Sequence, residues 1–139
     1  MKKKYKDLAE AAQMAKLKAY SPFSKFRVGA AILTRDNKIF TGCNIENSSY
    51  GLTICAERVA IFNAISSGAS KFSAIAVISD SPTFTPPCGA CRQVLLDLAG
   101  DIDFVMVDSK NHFKVLKLAT LLPFAFTEKN LKQSFKLMK

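Results

Sequence analysis

Residues 72–107 read FSAIAVISDSPTFTPPCGACRQVLLDLAGDIDFVMV, and this stretch decides the fold. Two short apolar runs within it, Phe72–Ser79 and Ile102–Val107, have the composition of strands that are covered on both faces. Between them, Gly89–Ala99 is predicted to form a helix that ends at Gly100. A strand, a crossover helix and a second strand give parallel neighbours, so we predict an α/β sandwich.

The residues before this unit predict a helix and a hairpin. Tyr5–Ala19 carries apolar residues on one face and lysines elsewhere, which favours a helix, and Ser21-Pro22 stops it. Phe26–Leu33 and Lys38–Cys43 are predicted strands that flank Asp36-Asn37, a hairpin signal. We therefore expect two antiparallel strands joined by a tight turn.

Three more elements complete the predicted fold. Cys55–Ser67 is apolar nearly all the way round, which predicts a buried helix. His112–Leu116 is predicted to add another strand. Thr127 is predicted to cap a last short, lysine-edged helix over Glu128–Leu137.

Length and composition favour one intracellular domain. The chain has 139 residues, 49% of them hydrophobic, and no linker or repeat divides it, so we predict a single domain over residues 1–139. Charged residues interrupt every long apolar run, so we expect neither a membrane span nor export. Four cysteines in an unexported protein favour reduced thiols, metal ligands or catalytic groups, and a cytoplasmic location.

The net charge of +9 raises a second hypothesis, a basic zinc module that binds nucleic acid. The first forty residues hold ten basic and three acidic side chains, and residues 101–139 hold seven and four. The middle of the chain, which carries all four cysteines, has three basic and four acidic side chains. Because the cations flank the cysteines instead of interleaving with them, nucleic acid is the less favoured partner.

The cysteine spacing predicts a zinc site. Cys55-Ala56-Glu57 is separated by thirty residues from Cys88-Gly89-Ala90-Cys91. Two thiols at i and i+3 of a helix start can converge on one ion, and a third thiol at the start of a neighbouring helix completes a three-ligand site. Three protein ligands leave one position for water, as in catalytic zinc sites. The alternative is a closed structural site with Cys43 as fourth ligand, which does not require the acid at Glu57.

The charge of such a site needs a counterweight. Three thiolates and Zn²⁺ sum to −1, which opposes acidification of a bound water. Two helix N-termini, with Arg58 and Arg92 beside the ligand-bearing turns, are available to offset this charge. Our hypothesis is that Arg58 bonds a cysteine sulfur and tunes the ion.

A second polar group lies just after the predicted hairpin, at Asn44-Ile45-Glu46. In an extended segment Asn44 and Glu46 point the same way, so an amide and a carboxylate face one pocket. Such a pair suits vicinal hydroxyls, which predicts a sugar as the substrate handle. The alternative is a polar loop without a ligand.

The cysteine motifs match the three-cysteine form of the zinc-dependent nucleobase deaminase signature. Over nearly its whole length the chain resembles the short, homotetrameric cytidine deaminases. The matching stretches are SPFSKFRVGAA at 21–31, GCNIENSSY at 42–50, TICAER at 53–58 and PPCGACRQ at 86–93. The resemblance implies a three-layer α-β-α sandwich with a mixed five-stranded sheet. It also implies hydrolytic deamination of cytidine and 2′-deoxycytidine to uridine and 2′-deoxyuridine, with release of ammonia, in pyrimidine salvage.

The resemblance also implies the roles of individual residues. Zinc, one ion per subunit, would be held by Cys55, Cys88 and Cys91, with proton transfer by Glu57. Substrate contacts would come from Asn44, Glu46, Phe26 and Ala56, and from Phe126 directed toward a neighbouring subunit's pocket. The lysine-rich extension after Phe126 departs from the family pattern. A nucleotide, a base within a polynucleotide or another amino-heterocycle stays open as the substrate, although a small neutral nucleoside is favoured because no phosphate cradle lies near the motifs.

Overall fold

A computed structural model describes residues 2–132, which form a five-stranded sheet with helices on both faces. The strands are β1 Val28–Thr34, β2 Ile39–Cys43, β3 Phe72–Ser79, β4 Asp103–Val107 and β5 Phe113–Lys117. The helices are α1 Lys3–Lys16, α2 Ala56–Ser66, α3 Gly89–Ala99 and α4 Leu118–Leu121. A 3₁₀ turn at Tyr50–Leu52 precedes α2.

The sheet has the order β2-β1-β3-β4-β5 and is mixed. Strands β3 and β4 are parallel, with Val77 opposite Met106, and α3 is the crossover between them. The other neighbouring pairs are antiparallel. This confirms the mixed five-stranded α/β sheet expected from the sequence, and it places the carboxyl ends of β3 and β4 at one edge.

Alternation along the strands builds two cores. Ala30 and Ile32 of β1 pack with α2 and α3 on one face, whereas Ala31 and Leu33 pack with α1 on the other. Leu8 of α1 and Leu95 of α3 are fully buried in these opposite cores. Since burial of one such side chain stabilises a fold by about 1.5–3 kcal/mol, both helix layers are fixed to the sheet mainly by apolar contact.

Two glycines let the helices approach the sheet closely. A Cβ atom at Gly29 of β1 would lie 2.0 Å from the Ala12 carbonyl oxygen of α1. A Cβ atom at Gly42 of β2 would lie 2.4 Å from the Ala60 amide nitrogen of α2. Neither distance is sterically possible, so these positions require a residue without a side chain. Gly42 thereby sets the distance of α2 from the sheet.

The core elements were predicted well, and the boundaries at loops less so. The bounds of β3 and α3 agree with the sequence prediction, and β4 and β5 each begin one residue later. The prediction for α1 was wrong at its end: the helix stops at Lys16 because Tyr20 pairs its backbone with Asn44 and Glu46. The first strand was also predicted to begin too early, at Phe26.

The prediction that α2 is a buried helix holds for one of its faces only. Glu57, Ala60 and Ile61 face the sheet and are buried. Phe62 and Ile65 lie on the other face and are 45% and 39% exposed. Some apolar residues of α2 therefore lie outside the core that this chain forms by itself.

Only the first part of the predicted terminal helix lies in the structure. A helical turn begins at Glu128 and continues to residue 132, while 133–137 lies outside the described residues. The Thr127 amide donates to Asn130 Oδ1 at 2.9 Å at the start of this turn. Among the helices of residues 2–132, no helix has the length and apolar character needed to cross a bilayer.

Candidate active site at the start of helices α2 and α3

The three predicted metal ligands lie at two helix N-termini. Cys55 is the N-cap of α2, and Cys88 is the N-cap of α3 with its sulfur accepting from the Cys91 amide at 3.4 Å. Cys91 lies in the first turn of α3 and is fully buried. The positive ends of both helix dipoles therefore point at the sulfurs, where they would offset part of the negative charge of metal-bound thiolates.

The three sulfur atoms fit a single zinc ion. All lie within 4.8 Å of one another, and Cys55 Sγ is 3.7 Å from Cys88 Sγ. Thiolates about 2.3 Å from a tetrahedral Zn²⁺ stand roughly 3.8 Å apart, so the observed spacing needs little adjustment. Within residues 2–132 this is the only cluster of metal-ligating side chains, and Cys43 is not a member. The four-cysteine alternative is thus not supported.

Arg58 makes the contact that the sequence hypothesis required. Its Nη2 donates to Cys55 Sγ at 3.4 Å. Hydrogen bonding from Cys91, together with Arg58, lowers the pKa of the Cys55 thiol, while the same contact with Cys55 and burial raise the pKa of Cys91. Arg58 Nε is buried without a hydrogen-bond partner among the described residues. One thiol of the cluster is therefore already biased toward the anionic form that binds metal.

Glu57 projects from the first turn of α2, next to Cys55. Its side chain is buried, with only 5% of the residue exposed. Burial raises the pKa of the Glu57 carboxyl to about 7, against hydrogen bonding from its own backbone, which lowers it. A carboxyl group with this pKa can both accept and release a proton near neutral pH. The neighbouring Ala56, which was predicted to contact substrate, lies in the core with no exposed surface.

Asn44 and Glu46 both bond the segment 21–27, which we call the strap. The Asn44 side chain accepts from the Val28 amide and donates to the Phe26 carbonyl, both at 2.8 Å. The Glu46 carboxylate accepts from the amides of Phe23 and Ser24 at 2.9 and 3.1 Å, and also from the Ser24 hydroxyl. The two predicted sugar contacts thus share a neighbour, and each hydrogen bond observed for their side chains is made to the chain itself.

The strap carries Phe26 and has an irregular backbone. Lys25 has a φ of 59°, in the left-handed region, and the Phe26 amide donates to Ser24 Oγ at 3.0 Å. Phe26 is 38% exposed, so its ring is available to a ligand. Sequence reasoning missed the strap's other anchor, Asp80, which accepts three hydrogen bonds from Arg27. The one signal was its place after a strand, where the carboxyl end of β3 meets the predicted site.

The segment 121–126 is tied to α3 just after the cysteines. Arg92 donates to the carbonyls of Pro87 and Leu121, both at 2.9 Å, so its guanidinium serves the backbone. Gln93 Nε2 donates to the Phe126 carbonyl at 2.7 Å. The Phe126 side chain is 59% exposed. Its ring is therefore presented outward from a fixed backbone.

Comparison with known proteins gives consistent matches. The model of the cytidine and deoxycytidylate deaminase zinc-binding region matches residues 2–107, which include all three cysteines and Glu57. A cytidine deaminase of Sporosarcina psychrophila is 46% identical over 118 residues, 84% of this chain and 87% of that protein. A cytidine deaminase of Halalkalibacterium halodurans is 44% identical over 125 residues, which are 89% of this chain and 95% of that protein. A crystal structure of cytidine deaminase from Burkholderia pseudomallei has a TM-score of 0.85 at 45% identity, covering 91% of this chain and 100% of that one.

Proposed function

The chain belongs to the cytidine and deoxycytidylate deaminase family of zinc-dependent hydrolases, and on this premise we propose that it converts cytidine and 2′-deoxycytidine to uridine and 2′-deoxyuridine with release of ammonia. We propose that this reaction serves pyrimidine salvage, in which existing nucleosides are reused. The observation that carries the proposal is the convergence of three sulfurs within 4.8 Å from two helix N-termini, beside the buried carboxyl of Glu57.

Cys55, Cys88 and Cys91 would hold one zinc ion per subunit. When bound there, zinc supplies Lewis acidity that makes a water molecule nucleophilic at neutral pH. Glu57 accepts the proton that this water loses and delivers it to N3 of the cytosine ring. It then takes the proton of the hydroxyl that the attack has left on C4 and gives it to the amino group, which leaves as ammonia while the C4 carbonyl forms. One water is consumed, and the glutamate ends in its starting state.

Substrate recognition would come from the strap and its neighbours. Glu46 would accept from ribose hydroxyls and Asn44 would donate or accept, while Phe26 would stack on the base. Supporting this, Phe26 is partly exposed on the strap and both polar side chains face that segment. Ala56 begins α2 between Cys55 and Glu57 and has no exposed surface, so its proposed contribution is to place these two residues beside the substrate.

We also propose that the chain forms one domain and assembles as a homotetramer. The exposed apolar face of α2, with Phe62 and Ile65, and the outward ring of Phe126 support assembly because such surface is normally covered in oligomers. Phe126 would complete a neighbouring subunit's pocket. Sedimentation of the zinc-loaded protein at several concentrations measures the assembly, and a monomer at every concentration would contradict it.

We also propose a cytoplasmic location, because the four cysteines are free thiols, which fits a reducing compartment.

One assay tests the activity and its alternatives. Zinc-loaded protein is incubated with cytidine, 2′-deoxycytidine, cytidine monophosphate and a short single strand, and loss of the amino group is followed by ultraviolet absorbance. We expect turnover of the two nucleosides and little of the others. Turnover of the nucleotide or the strand instead would change the substrate class. Tight, steeply salt-dependent strand binding without turnover would favour the basic nucleic-acid module.

A further inference from the structure

Asp80, the residue after β3, is the centre of a charge cluster that includes the strap. Its Oδ2 accepts from the Arg27 backbone amide at 2.9 Å and from Arg27 Nε at 3.0 Å, and its Oδ1 accepts from Arg27 Nη2 at 3.0 Å. The Asp80 amide donates back to the Arg27 carbonyl at 3.0 Å. Arg27 and Asp80 are thus joined by four hydrogen bonds, two of them a bidentate guanidinium pair.

The Arg27–Asp80 pair lies between the two backbone groups that the Asn44 side chain bonds. The Asn44 side chain bonds the Phe26 carbonyl and the Val28 amide, so it bridges the residues on either side of Arg27. Asp80 fixes Arg27 itself. The three residues 26–28 are therefore held from two directions, by an amide from the end of β2 and by a carboxylate from the end of β3.

Apart from these contacts and those of Glu46 with Phe23 and Ser24, the strap has no regular structure to fix its shape. Its backbone is irregular, with Lys25 in the left-handed region, and it precedes the β1 ladder. The exposed fraction of Phe26 is also too large for core packing to hold its ring in place. Side-chain hydrogen bonds therefore take the place of secondary structure in setting where Phe26 lies.

We propose that Arg27 and Asp80 are positioning residues that hold the strap, and with it Phe26, for nucleoside binding. The inference rests on the proposed function, because it takes Phe26 and the strap to contact the substrate. Loosening the pair lowers affinity for substrate, since the strap must then be ordered on binding. The chemical step is little changed, because Glu57 and the cysteines belong to α2 and α3.

Lys16 supplies a matched control on the same carboxylate. Its Nζ lies 3.3 Å from Asp80 Oδ1, and its side chain is only 11% exposed at the end of α1. No hydrogen bond joins Lys16 to the strap among the described residues. Lys16→Met therefore removes one ion pair of Asp80 and keeps the apolar stem of the side chain, but it leaves the Arg27 contacts in place.

The test compares Arg27→Gln and Lys16→Met as zinc-loaded proteins. We expect Arg27→Gln to raise KM for cytidine about tenfold, with kcat within about twofold and zinc content unchanged. Hydrogen exchange over residues 21–28 becomes faster in this variant. We expect Lys16→Met to lower the melting temperature without raising KM and without faster hydrogen exchange over residues 21–28. Arg27→Lys, which keeps the charge but loses the fork, gives an intermediate KM. In the Arg27→Gln and Asp80→Asn pair, the effects on KM are less than additive.

Several results would overturn the inference. They are an unchanged KM in Arg27→Gln, an equal rise in KM in Lys16→Met, or additive effects of the Arg27 and Asp80 substitutions. If wild-type holoenzyme neither binds nor turns over cytidine, the proposed function fails. The exchange measurement still decides the positioning role. Faster exchange over 21–28 in Arg27→Gln than in Lys16→Met supports the role of Arg27 and Asp80 in holding the strap, and equal exchange rejects it.

Discussion

The metal side of the site and the strap are held by different kinds of interaction. Cys55, Glu57, Cys88 and Cys91 lie on the first turns of two helices packed against a buried sheet. The strap has no regular structure and is fixed by the side chains of Asn44, Glu46 and Asp80. The groups to which we assign metal binding and proton transfer are therefore placed by packing, whereas the segment that would meet the nucleoside is placed by polar contacts.

This division suits the demands on each region. Ligand atoms and a proton-transferring acid must hold their geometry closely, and rigid elements provide this best. A substrate segment must admit and release its ligand, so contacts that can exchange with ligand or water are suitable there. We expect substitutions on the metal side to change kcat or zinc affinity, and substitutions around the strap to change KM.

The largest effect is expected at Glu57. Glu57→Ala removes the proton-transferring carboxyl but no metal ligand, so kcat should fall about 10²–10⁴-fold or more while bound zinc is retained. Steady-state kinetics and metal analysis on the same preparation measure both. Glu57→Gln, which keeps the shape of the side chain, should be similarly impaired. Near-normal turnover in either variant would remove Glu57 from its assigned role.

Gly42 tests whether packing places the metal side. In Gly42→Ala the new Cβ meets the Ala60 amide nitrogen and the Ala56 carbonyl, backbone atoms that cannot rotate away, so α2 must move. We expect a loss of about 1–3 kcal/mol in the free energy of unfolding, with weaker zinc binding, because Cys55 moves with α2. Urea unfolding and competition with a chelator measure these effects.

Two other glycines are the controls for this substitution. Gly29→Ala clashes with α1 on the opposite face of the sheet, so it should destabilise the fold while zinc affinity is kept. Gly51→Ala has no atom within 4 Å of the new Cβ and should change neither. Equal loss of zinc affinity in the Gly29 and Gly42 variants would show that the site depends on overall stability and not on the position of α2.

The same contrast explains what the sequence could predict. The limits of α3 were predicted correctly because the capping Cys88 and the terminal Gly100 lie next to the apolar run they bound. The grouping of Cys88 with Cys91 was predicted because residues three apart at a helix start lie side by side. These two signals are local, and each is complete within a few residues of the chain, whereas the place of Cys55 was inferred from a motif that spans both helix starts.

The strap could not be predicted, because its anchors are remote in sequence. Arg27 bonds a residue 53 positions away, and Phe26 one 18 positions away. Asn44 and Glu46 were recognised as a polar pair, but nothing in their spacing showed that the chain itself would take most of their hydrogen bonds. For α2, the apolar pattern could not tell burial within the chain from a face left exposed, as at Phe62.

Arg58 tests the electrostatics of the metal side. Arg58→Gln removes the cation beside Cys55, so the three thiolates lose a partner that offsets their charge. We expect zinc affinity to fall about 10–100-fold, measured by chelator competition. Arg92→Gln is the control, because its guanidinium donates to two carbonyls and should leave affinity nearly unchanged. Unchanged zinc affinity and turnover in Arg58→Gln would refute the tuning hypothesis.

Glu46 tests whether the strap's anchor also contacts the sugar. In Glu46→Gln one side-chain oxygen can still accept from the amides of Phe23 and Ser24, so the strap should stay in place. A lost charge-assisted bond to ribose should lower kcat/KM for cytidine about tenfold, with a smaller loss for 3′-deoxycytidine. Equal losses for the two nucleosides would limit Glu46 to holding the strap.

The smallest effect is expected for Asp80→Asn, whose loss of stability at pH 7 should disappear in acid. This pH dependence again separates the strap from the metal side. Hydrogen bonds from Arg27 lower the pKa of the Asp80 carboxyl from its usual 3.8 to about 2, so its stabilising effect is present above about pH 4 and is lost as the pH falls toward 2. Allowing for solvent screening, we expect Asp80→Asn to be less stable by about 1 kcal/mol at pH 7 and no less stable near pH 2. Urea unfolding of both proteins at several pH values measures this.

The stability lost in Gly42→Ala, which arises from packing, should not follow this titration. A deficit of Asp80→Asn that stays constant with pH would mean that the carboxylate charge does not hold the strap.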